Sequence, residues 1–366
     1  MKARQVVKGS VERSMLVFCA SFPNGRGGAI HGCRLDPDSG QLTAVHHTCD
    51  IENPFFLVLS PSGNELYSVH APGKFAGPEH SQIAAYKLEG RDRVPRLLKR
   101  QSTHGAGACY LSISASGKTL LAANYASGSL ASIPLDDNGS PSEAASVIGV
   151  THAESEPEPQ TQSHPHCIVT SADDRFAIIA DLGLDLIQSY RFDAVTHRLA
   201  PAGSSGIALT TGSGPRHLVF AREGEYGYVI NERRSTITLF GYDKQTGDLI
   251  ERHSCSTLPD GYDGENAAAD IVLAANGRYM YACNRGHDSI AVYCIADDGL
   301  PDCIEITSSH GHLPQSLAIS PCGSFLLCAN SGSGCIVVFR IDAVTGQLST
   351  TGQSIALPFP SCLAIC

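Results

Sequence analysis

Residues 217–231 read HLVFAREGEYGYVIN: a short apolar strand, a turn that contains glycine, and a second apolar strand. This pattern decides the fold because its first strand recurs along the chain. The seven copies of that strand are FLVLS (56–60), YLSIS (110–114), CIVTS (167–171), HLVFA (217–221), DIVLA (270–274), SLAIS (316–320) and CLAIC (362–366). The second residue of each copy serves as an anchor, and successive anchors lie 46–57 residues apart. A period of this length is typical of a repeat architecture.

Two positions recur at constant distances from the anchor in the six complete copies. Six residues after the anchor stands a residue suited to a turn: Gly63, Gly117, Asp174, Gly224, Gly277 or Gly323. Thirteen residues after the anchor stands a polar residue: His70, Asn124, Asp181, Asn231, Asn284 or Asn330. Because these distances are constant while the anchor spacing varies, insertions fall outside this hairpin.

Each repeat continues beyond the hairpin. Third alternating strands such as SIAVY (289–293) and CIVVF (335–339) follow it, and D-x-x-T-G-x-L turns at 243–249 and 342–348 indicate a fourth strand. A four-stranded sheet with two apolar faces cannot bury both faces alone. Neighbouring sheets bury them when they stack around a common axis.

The two ends of the chain complete this arrangement. Residues 15–47 contain outer strands but no first strand, which the final copy at 362–366 can supply, so that the ring has no open edge. We therefore predict an all-β, seven-bladed β-propeller over residues 15–366, closed by N- and C-terminal strands in one shared blade, after an N-terminal arm at residues 1–14. A long sandwich or two smaller barrels is the alternative, which the constant hairpin disfavours.

Composition limits the partners of the protein. The chain has 366 residues, of which 42% are hydrophobic, enough for a large core. Its 36 acidic and 26 basic residues give a formal net charge of −10, which argues against a nucleic-acid surface or a polybasic membrane anchor. The first residues lack the apolar segment of a signal peptide. We expect a cytoplasmic protein, monomeric or weakly homo-oligomeric, with neither nucleic acid nor membrane as a partner.

Cysteine usage agrees with that compartment. There are 14 cysteines at irregular spacings and no C-x-x-C pair. Reduced, partly buried thiols are the favoured interpretation, and a disulfide framework or a zinc site is the alternative.

One rim of the predicted propeller collects charged side chains. With the hairpin turn near offset 6, offsets that sum to about 12 face each other, so offset −2 lies beside offset 14 at the end opposite the turn. These positions hold Arg216 and Glu232 in the fifth blade, His166 in the fourth and Arg285 in the sixth. The other residues at these positions in blades four, six and seven are Leu182, Ala269, Gln315 and Ser331. Since innermost strands line the axial channel, we predict that the four charged or titratable side chains meet at its mouth.

The chemistry of this set suggests a catalytic site. Two arginines can hold a carboxylate or phosphate through forked hydrogen bonds, or stabilise the oxyanion formed when an ester carbonyl is attacked. Glu232 or His166 is the candidate general base. The alternative is that Arg216 and Glu232 are only an ion pair across a hairpin.

Further candidates surround this set. The imidazole of His164 is an alternative to that of His166, and the candidate substrate-binding residues are His164, His217, Asn284 and Glu265. The sequence contains no G-x-S-x-G elbow, H-E-x-x-H pair, Walker loop or G-x-G-x-x-G motif. We therefore predict neither a metal nor a cofactor.

Six stretches carry a resemblance to a known family. They are ANYASGS (123–129), ADLGLD (180–185), GSGPRHLVF (212–220), YGYVINE (226–232), GENAAADI (264–271) and GRYMYACNRGHDSIAVY (277–293). Over residues 15–366 the chain resembles the cytosolic seven-bladed lactonases, which include propeller-type bacterial 6-phosphogluconolactonase and the fungal 3-carboxymuconate lactonising enzyme.

The resemblance implies an active site and a reaction. The histidine before the fourth inner strand, the arginine of GPRH, the glutamate of NE and the arginine of NR correspond to His166 (or His164), Arg216, Glu232 and Arg285. The implied reaction is metal-independent hydrolysis of an anionic sugar-acid lactone, 6-phospho-D-glucono-1,5-lactone first. Related chains often carry arginine where this chain has Gln315. Two alternatives remain: a cycloisomerase acting on a muconate-type diacid, and a propeller that binds a partner without catalysis.

Overall fold

The computed structural model describes residues 15–23, 27–48, 52–70, 80–150, 162–203, 206–221 and 224–366. Within these ranges the regular structure is entirely β, and no helix has the length and apolar character needed to cross a bilayer. The predicted arm at residues 1–14 lies outside the described residues.

The described strands form seven antiparallel sheets, numbered here as blades in chain order. Blade one contains β1 (Met15–Ser21), β2 (Ala29–Leu35), β3 (Leu42–Thr48) and, as its innermost strand, β29 (Pro360–Ile365). Blade two contains β4 (Pro54–Leu59), β5 (Glu65–His70), β6 (His80–Glu89) and β7 (Val94–Ala106). Blade three contains β8 (Ala108–Ile113), β9 (Thr119–Asn124), β10 (Ser129–Pro134) and β11 (Ser146–Gly149). Blade four contains β12 (Pro165–Thr170), β13 (Phe176–Asp181), β14 (Leu186–Asp193), β15 (Arg198–Pro201) and the short β16 (Ile207–Ala208).

The remaining blades have the same organisation. Blade five contains β17 (Pro215–Phe220), β18 (Tyr226–Asn231), β19 (Thr236–Tyr242) and β20 (Leu249–Ser256). Blade six contains β21 (Ala267–Leu273), β22 (Tyr279–Arg285), β23 (Ser289–Ile295) and β24 (Pro301–Ser308). Blade seven contains β25 (Pro314–Ile319), β26 (Phe325–Asn330), β27 (Cys335–Ile341) and β28 (Leu348–Ala356). The prediction of a seven-bladed propeller is confirmed.

Strands from both ends of the described chain close the ring. β29 pairs antiparallel with β1 from Val17 opposite Ile365 to Ser21 opposite Pro360. The first strand of every blade lies against the first strands of the blades on either side, so β29 bridges β25 and β4. The predicted shared blade is therefore confirmed.

Apolar side chains fill the interfaces between neighbouring blades, and aromatic residues fit against the outer turns of the next blade. The ring of Phe176 in blade four packs on Gly247, and that of Tyr279 in blade six packs on Gly346. Both glycines belong to the predicted D-x-x-T-G turns and have positive φ, +81° and +74°. A Cβ at Gly346 would lie 2.2 Å from Tyr279, so glycine is required by both the turn and the packing.

The hairpin turns follow the prediction, with one informative variation. The residue six positions after the anchor has positive φ in all six complete copies, which glycine adopts without strain. In blade four this residue is Asp174, with φ +54°. Its carboxylate accepts hydrogen bonds from the backbone N–H groups of Ala115 (2.7 Å) and Ser116 (2.8 Å) in the turn of blade three. Aspartate here joins two blades at the cost of a less favourable backbone conformation.

Candidate active site at the channel mouth

The register of the inner hairpin differs by one residue from the predicted register. In blade five Leu218 faces Val229, so paired offsets sum to 11 rather than 12. A β-bulge then follows between Pro215 and His217, and Pro215 faces Asn231. The reason is that the turn between Phe220 and Tyr226 is centred half a residue earlier than the glycine suggests.

The bulge brings offset −2 to the channel mouth. An extra residue in one strand is left out of the ladder, and its side chain is redirected. In blades two, four, five, seven and one this bulge residue follows a proline at the start of the inner strand, where a missing N–H is tolerated. The bulge residues of these blades are Phe55, His166, Arg216, Gln315 and Ser361.

These bulge residues and the residues at offset 14 line one cavity of about 500 Å³. The offset-14 residues in its wall are Tyr125, Leu182, Glu232, Arg285 and Ser331. The structure thus brings together His166, Arg216, Glu232 and Arg285, the four residues selected from spacing. Residues from loops, including Phe22, Leu313 and Phe359, complete the wall.

The charged centre of the cavity is one carboxylate shared by two guanidinium groups. Glu232 Oε2 lies 2.9 Å from Arg216 Nε and 2.8 Å from Arg285 Nη2. The side chain of Arg216 is 2% exposed, whereas those of Arg285 and Glu232 are 19% and 24% exposed. Arg285 is also held by hydrogen bonds from Nε to the carbonyl of Ala267 (3.1 Å) and from Nη1 to Gln315 Oε1 (3.3 Å). The cluster carries one net positive charge when all three groups are ionised.

Electrostatics keep this carboxylate ionised. Burial alone would raise the pKa of Glu232, but the two guanidiniums outweigh that effect and hold the pKa below its ordinary value. Burial and the nearby Arg216 lower the pKa of Arg285, which still remains cationic at neutral pH because an arginine begins so far above it.

His166 is a neutral imidazole in the same wall. Burial, followed by the neighbouring Arg216 and His217, lowers its pKa well below the ordinary value. Its Nδ1 is buried without a hydrogen-bond partner among the described residues. The ring lies 5.7 Å from that of Tyr125 and 5.3 Å from that of His217, measured between centroids. Because Nδ1 is enclosed, Nε2 is the nitrogen through which this ring can reach a molecule in the cavity.

Three other sequence-predicted residues do not reach the cavity wall. His164 lies behind Tyr125, with its ring stacked on the tyrosine at 4.5 Å and its Nδ1 2.8 Å from the carbonyl of that residue. Asn284 is fully buried and bonds to Thr257 and Ser289, so it holds the loops around the second strand. Glu265 is exposed on the segment before β21. The assignment of these residues to substrate binding has no support in their positions.

His217 lies one layer below the cavity, inside the axial channel. It is 5% exposed and touches the rings of Phe56, Tyr110 and His166. Its Nδ1 is 2.7 Å from Asp270 Oδ1. Asp270 is not predictable from the repeat, because its pairing with His217 joins two blades and has no signature within one repeat.

Several residues of the cavity wall were not predicted, although the rule that pairs offsets −2 and 14 would have identified them. Phe55, Tyr125 and Ser361 occupy offsets −2 and 14 in blades two, three and one. Phe22, Leu313 and Phe359 lie in connections whose path the repeat does not predict. The wall is thus more aromatic than the four selected residues suggest.

Metal-ligating side chains are not clustered in the described part of the chain. No group of three or more histidine, cysteine, aspartate or glutamate side chains there is arranged to hold an ion. The described cysteines are free thiols, and Cys167, Cys283 and Cys328 are buried in the blades.

Comparison with known proteins agrees with the fold. A protein of Bacillus subtilis named 6-phosphogluconolactonase is 27% identical over 352 residues, covering 94% of this chain and 97% of that protein. One of the same name from Formosa agariphila is 30% identical over 347 residues, covering 93% and 96%. The solved structure of a periplasmic gluconolactonase of Pseudomonas aeruginosa has a TM-score of 0.86 and 27% identity, covering 96% of this chain and 99% of that one.

The family assignment rests on the length of the match. The family model described as "Lactonase, 7-bladed beta-propeller" matches residues 16–365, which include every blade and the shared closing sheet. The chain belongs to the seven-bladed β-propeller lactonase family.

Proposed function

We propose that this protein hydrolyses a sugar-acid lactone at the channel mouth, with 6-phospho-D-glucono-1,5-lactone as the first substrate to test. The observation that carries the proposal is the sharing of Glu232 Oε2 by Arg216 and Arg285 in a cavity that also contains His166. The names of the relatives from Bacillus subtilis and Formosa agariphila support the same substrate.

The arginines supply the electrostatic part of the mechanism. Attack of water on the lactone carbonyl places negative charge on the carbonyl oxygen, and preorganised cationic donors stabilise that charge. Arg216 and Arg285 are held in place by the carboxylate between them, so they need little reorganisation during the reaction. Their net charge of +1 with Glu232 also creates a locally favourable site for an anion on an acidic protein.

Water activation falls to Glu232 or His166. A base removes a proton from water as the new carbon–oxygen bond forms, the ring carbon–oxygen bond then breaks, and the proton passes to the departing ring oxygen to give the open hydroxy acid. Glu232 is ionised and its Oε1 remains available, since both ion pairs use Oε2. His166 is neutral and reaches the cavity through Nε2, so either group can carry the proton.

A panel of lactones tests the proposal. Purified protein should hydrolyse 6-phosphogluconolactone faster than the spontaneous reaction, with glucono-1,5-lactone and a 3-carboxymuconate as the other arms. A rate only with the unphosphorylated lactone would change the substrate but retain the reaction. Turnover of the muconate alone would instead identify a cycloisomerase, in which the two guanidiniums would bind the carboxylates of the substrate. No turnover of any of the three would refute catalysis on these classes.

We further propose that the protein acts in the cytoplasm, where its product would enter the pentose phosphate pathway, and that it works as a monomer or weak homo-oligomer. Its solved relative from Pseudomonas aeruginosa is described as periplasmic, so fractionation of cells is the decisive measurement. Recovery of the protein in a periplasmic fraction would refute this location.

A further inference from the structure

Asp270 occupies an unusual position beneath the active site. It lies on β21 of blade six, where its Oδ2 accepts a hydrogen bond from the backbone N–H of Leu317 (2.8 Å) and its Oδ1 accepts one from that of Ile271 (3.0 Å). Burial raises the pKa of this carboxyl, but His217 and the backbone donor outweigh that effect and lower it overall. Asp270 is therefore ionised, and an ionised carboxylate only accepts hydrogen bonds.

This carboxylate fixes the tautomer of His217. Since Asp270 accepts, the 2.7 Å contact requires His217 Nδ1 to carry the hydrogen. Burial and Arg216 lower the pKa of His217 to about 4, although Asp270 raises it, so the ring is neutral near pH 7. The other nitrogen, Nε2, is then a bare acceptor.

Arg216 lies against the face of this ring. Its Nη1 is 3.2 Å from His217 Nε2 and 3.5 Å from His217 Nδ1, and the same Nη1 donates to the carbonyl of Ala269 at 2.6 Å. Nη1 is thus held between the Ala269 carbonyl and the imidazole face, and Nε forms an ion pair with Glu232 Oε2 without hydrogen-bond geometry. Nη2 has no partner among the described residues, and it is the part of the guanidinium left for a molecule in the cavity.

We infer that His217 and Asp270 are positioning residues that hold Arg216 with Nη2 directed at the substrate. Asp270 orients the imidazole, the face of the imidazole supports Nη1 of Arg216, and Nη2 is left to bind the lactone. The arrangement of His217, Asp270 and Arg216 does not depend on the proposed lactone hydrolysis. Only its effect on catalysis rests on that proposed function. It replaces the expectation that His217 binds substrate, because Phe56, Tyr110 and His166 surround its ring and it does not line the cavity.

Substitutions of His217 test the inference through activity. His217→Leu should lower kcat on the lactone that the wild type hydrolyses by roughly 10- to 100-fold, because misorientation of a catalytic group has effects of this size. His217→Gln should recover most of the loss, since its amide nitrogen can donate to Asp270 and its planar amide can pack against Arg216 Nη1 as the imidazole face does. Ser316→Ala is the matched control. Ser316 has the same register position in blade seven that His217 has in blade five, and its hydroxyl accepts a hydrogen bond from the backbone N–H of Leu363 in the neighbouring blade.

A double-mutant cycle separates positioning from general damage. In an Arg216→Ala background, His217→Leu should change kcat less than about twofold, because the residue through which it acts is gone. Additive effects, equal losses in the Leu and Gln variants, or a loss confined to KM would overturn the inference. Thermal unfolding of each variant verifies that it is folded.

A measurement without substrate makes failure of this inference distinguishable from failure of the proposed function. Two-dimensional ¹H–¹⁵N spectra of the wild-type imidazoles, with the His217 signal identified by its loss in His217→Gln, should show a protonated Nδ1 and a bare Nε2 at pH 7. A protonated Nε2 would refute the positioning role even if lactones are hydrolysed. The expected tautomer in a protein that hydrolyses no lactone would leave the arrangement intact and refute only the function.

Discussion

Replacement of Glu232 by glutamine should destabilise the propeller, because it leaves two guanidiniums facing each other without the carboxylate between them. Removing one partner of a buried ion pair costs about 3–5 kcal/mol. The side chain of Glu232 is 24% exposed, so solvent screening favours the lower end, about 3 kcal/mol. For 366 residues, an unfolding entropy of about 2.1 cal/mol/K per residue converts this into a Tm lower by about 4 °C.

The effect should also depend on pH. The pKa of Glu232 in the folded protein lies below the ordinary value of 4.5. Its ionisation therefore contributes stability that is fully present above pH 4.5 and is lost as the pH falls through the folded pKa. The difference in Tm between wild type and Glu232→Gln should be constant near neutrality and should shrink below pH 4.5.

Differential scanning calorimetry at several pH values measures both quantities. Glu265→Gln is the control, since it removes an exposed carboxylate and should leave Tm unchanged. An unchanged or higher Tm for Glu232→Gln near pH 7 would refute the view that the carboxylate holds the two arginines together. A difference that grows in acid would show that the sign of the pKa shift is wrong.

Three further outcomes follow from the same structure. Arg285→Ala should lower kcat roughly 10²- to 10³-fold in a lactone assay, as loss of an oxyanion donor does, and an unaltered kcat would remove it from the mechanism. Gly346→Ala should lower Tm, because its Cβ would meet Tyr279 at a positive φ, whereas alanine at Gly352, which has open space, should cost less. Asp174→Ala should be more destabilising than Asp174→Gly by about 1 kcal/mol in urea unfolding, because both lose the bonds to blade three but only glycine accepts the positive φ. Equal losses at that position would contradict the proposed strain.

The constant hairpin made most of the fold predictable. Apolar alternation and the turn residue at a fixed distance from each anchor are local properties of the chain, and they define the blades. The same constancy placed Arg216, Glu232 and Arg285 at one mouth before any contact was known. The predicted register was wrong by one residue, but the predicted site was unchanged, because the bulge residue and the residue at offset 14 still lie at the same end of the hairpin.

The rest depends on contacts that the repeat does not encode. His164 and His166 are two residues apart, yet only the second is a bulge residue, and the backbone N–H of the first is bound by Asp181 (2.8 Å). The hydrogen bond between His217 and Asp270 joins blades five and six, so no spacing within one repeat predicts it. Phe22 and Phe359 come from connections, whose course is set by tertiary packing rather than by periodicity.

The shared blade has a consequence for biosynthesis. A ribosome makes β29 after all the other described strands, so the inner edge of β1 stays unpaired until the remaining six blades have emerged. Ser361 on β29 and Phe359 just before it also belong to the cavity wall. A nascent chain stalled before this segment would therefore carry both an unpaired edge of β1, open to association with other chains, and an unfinished pocket. Catalytic competence should appear only after translation has passed residue 365.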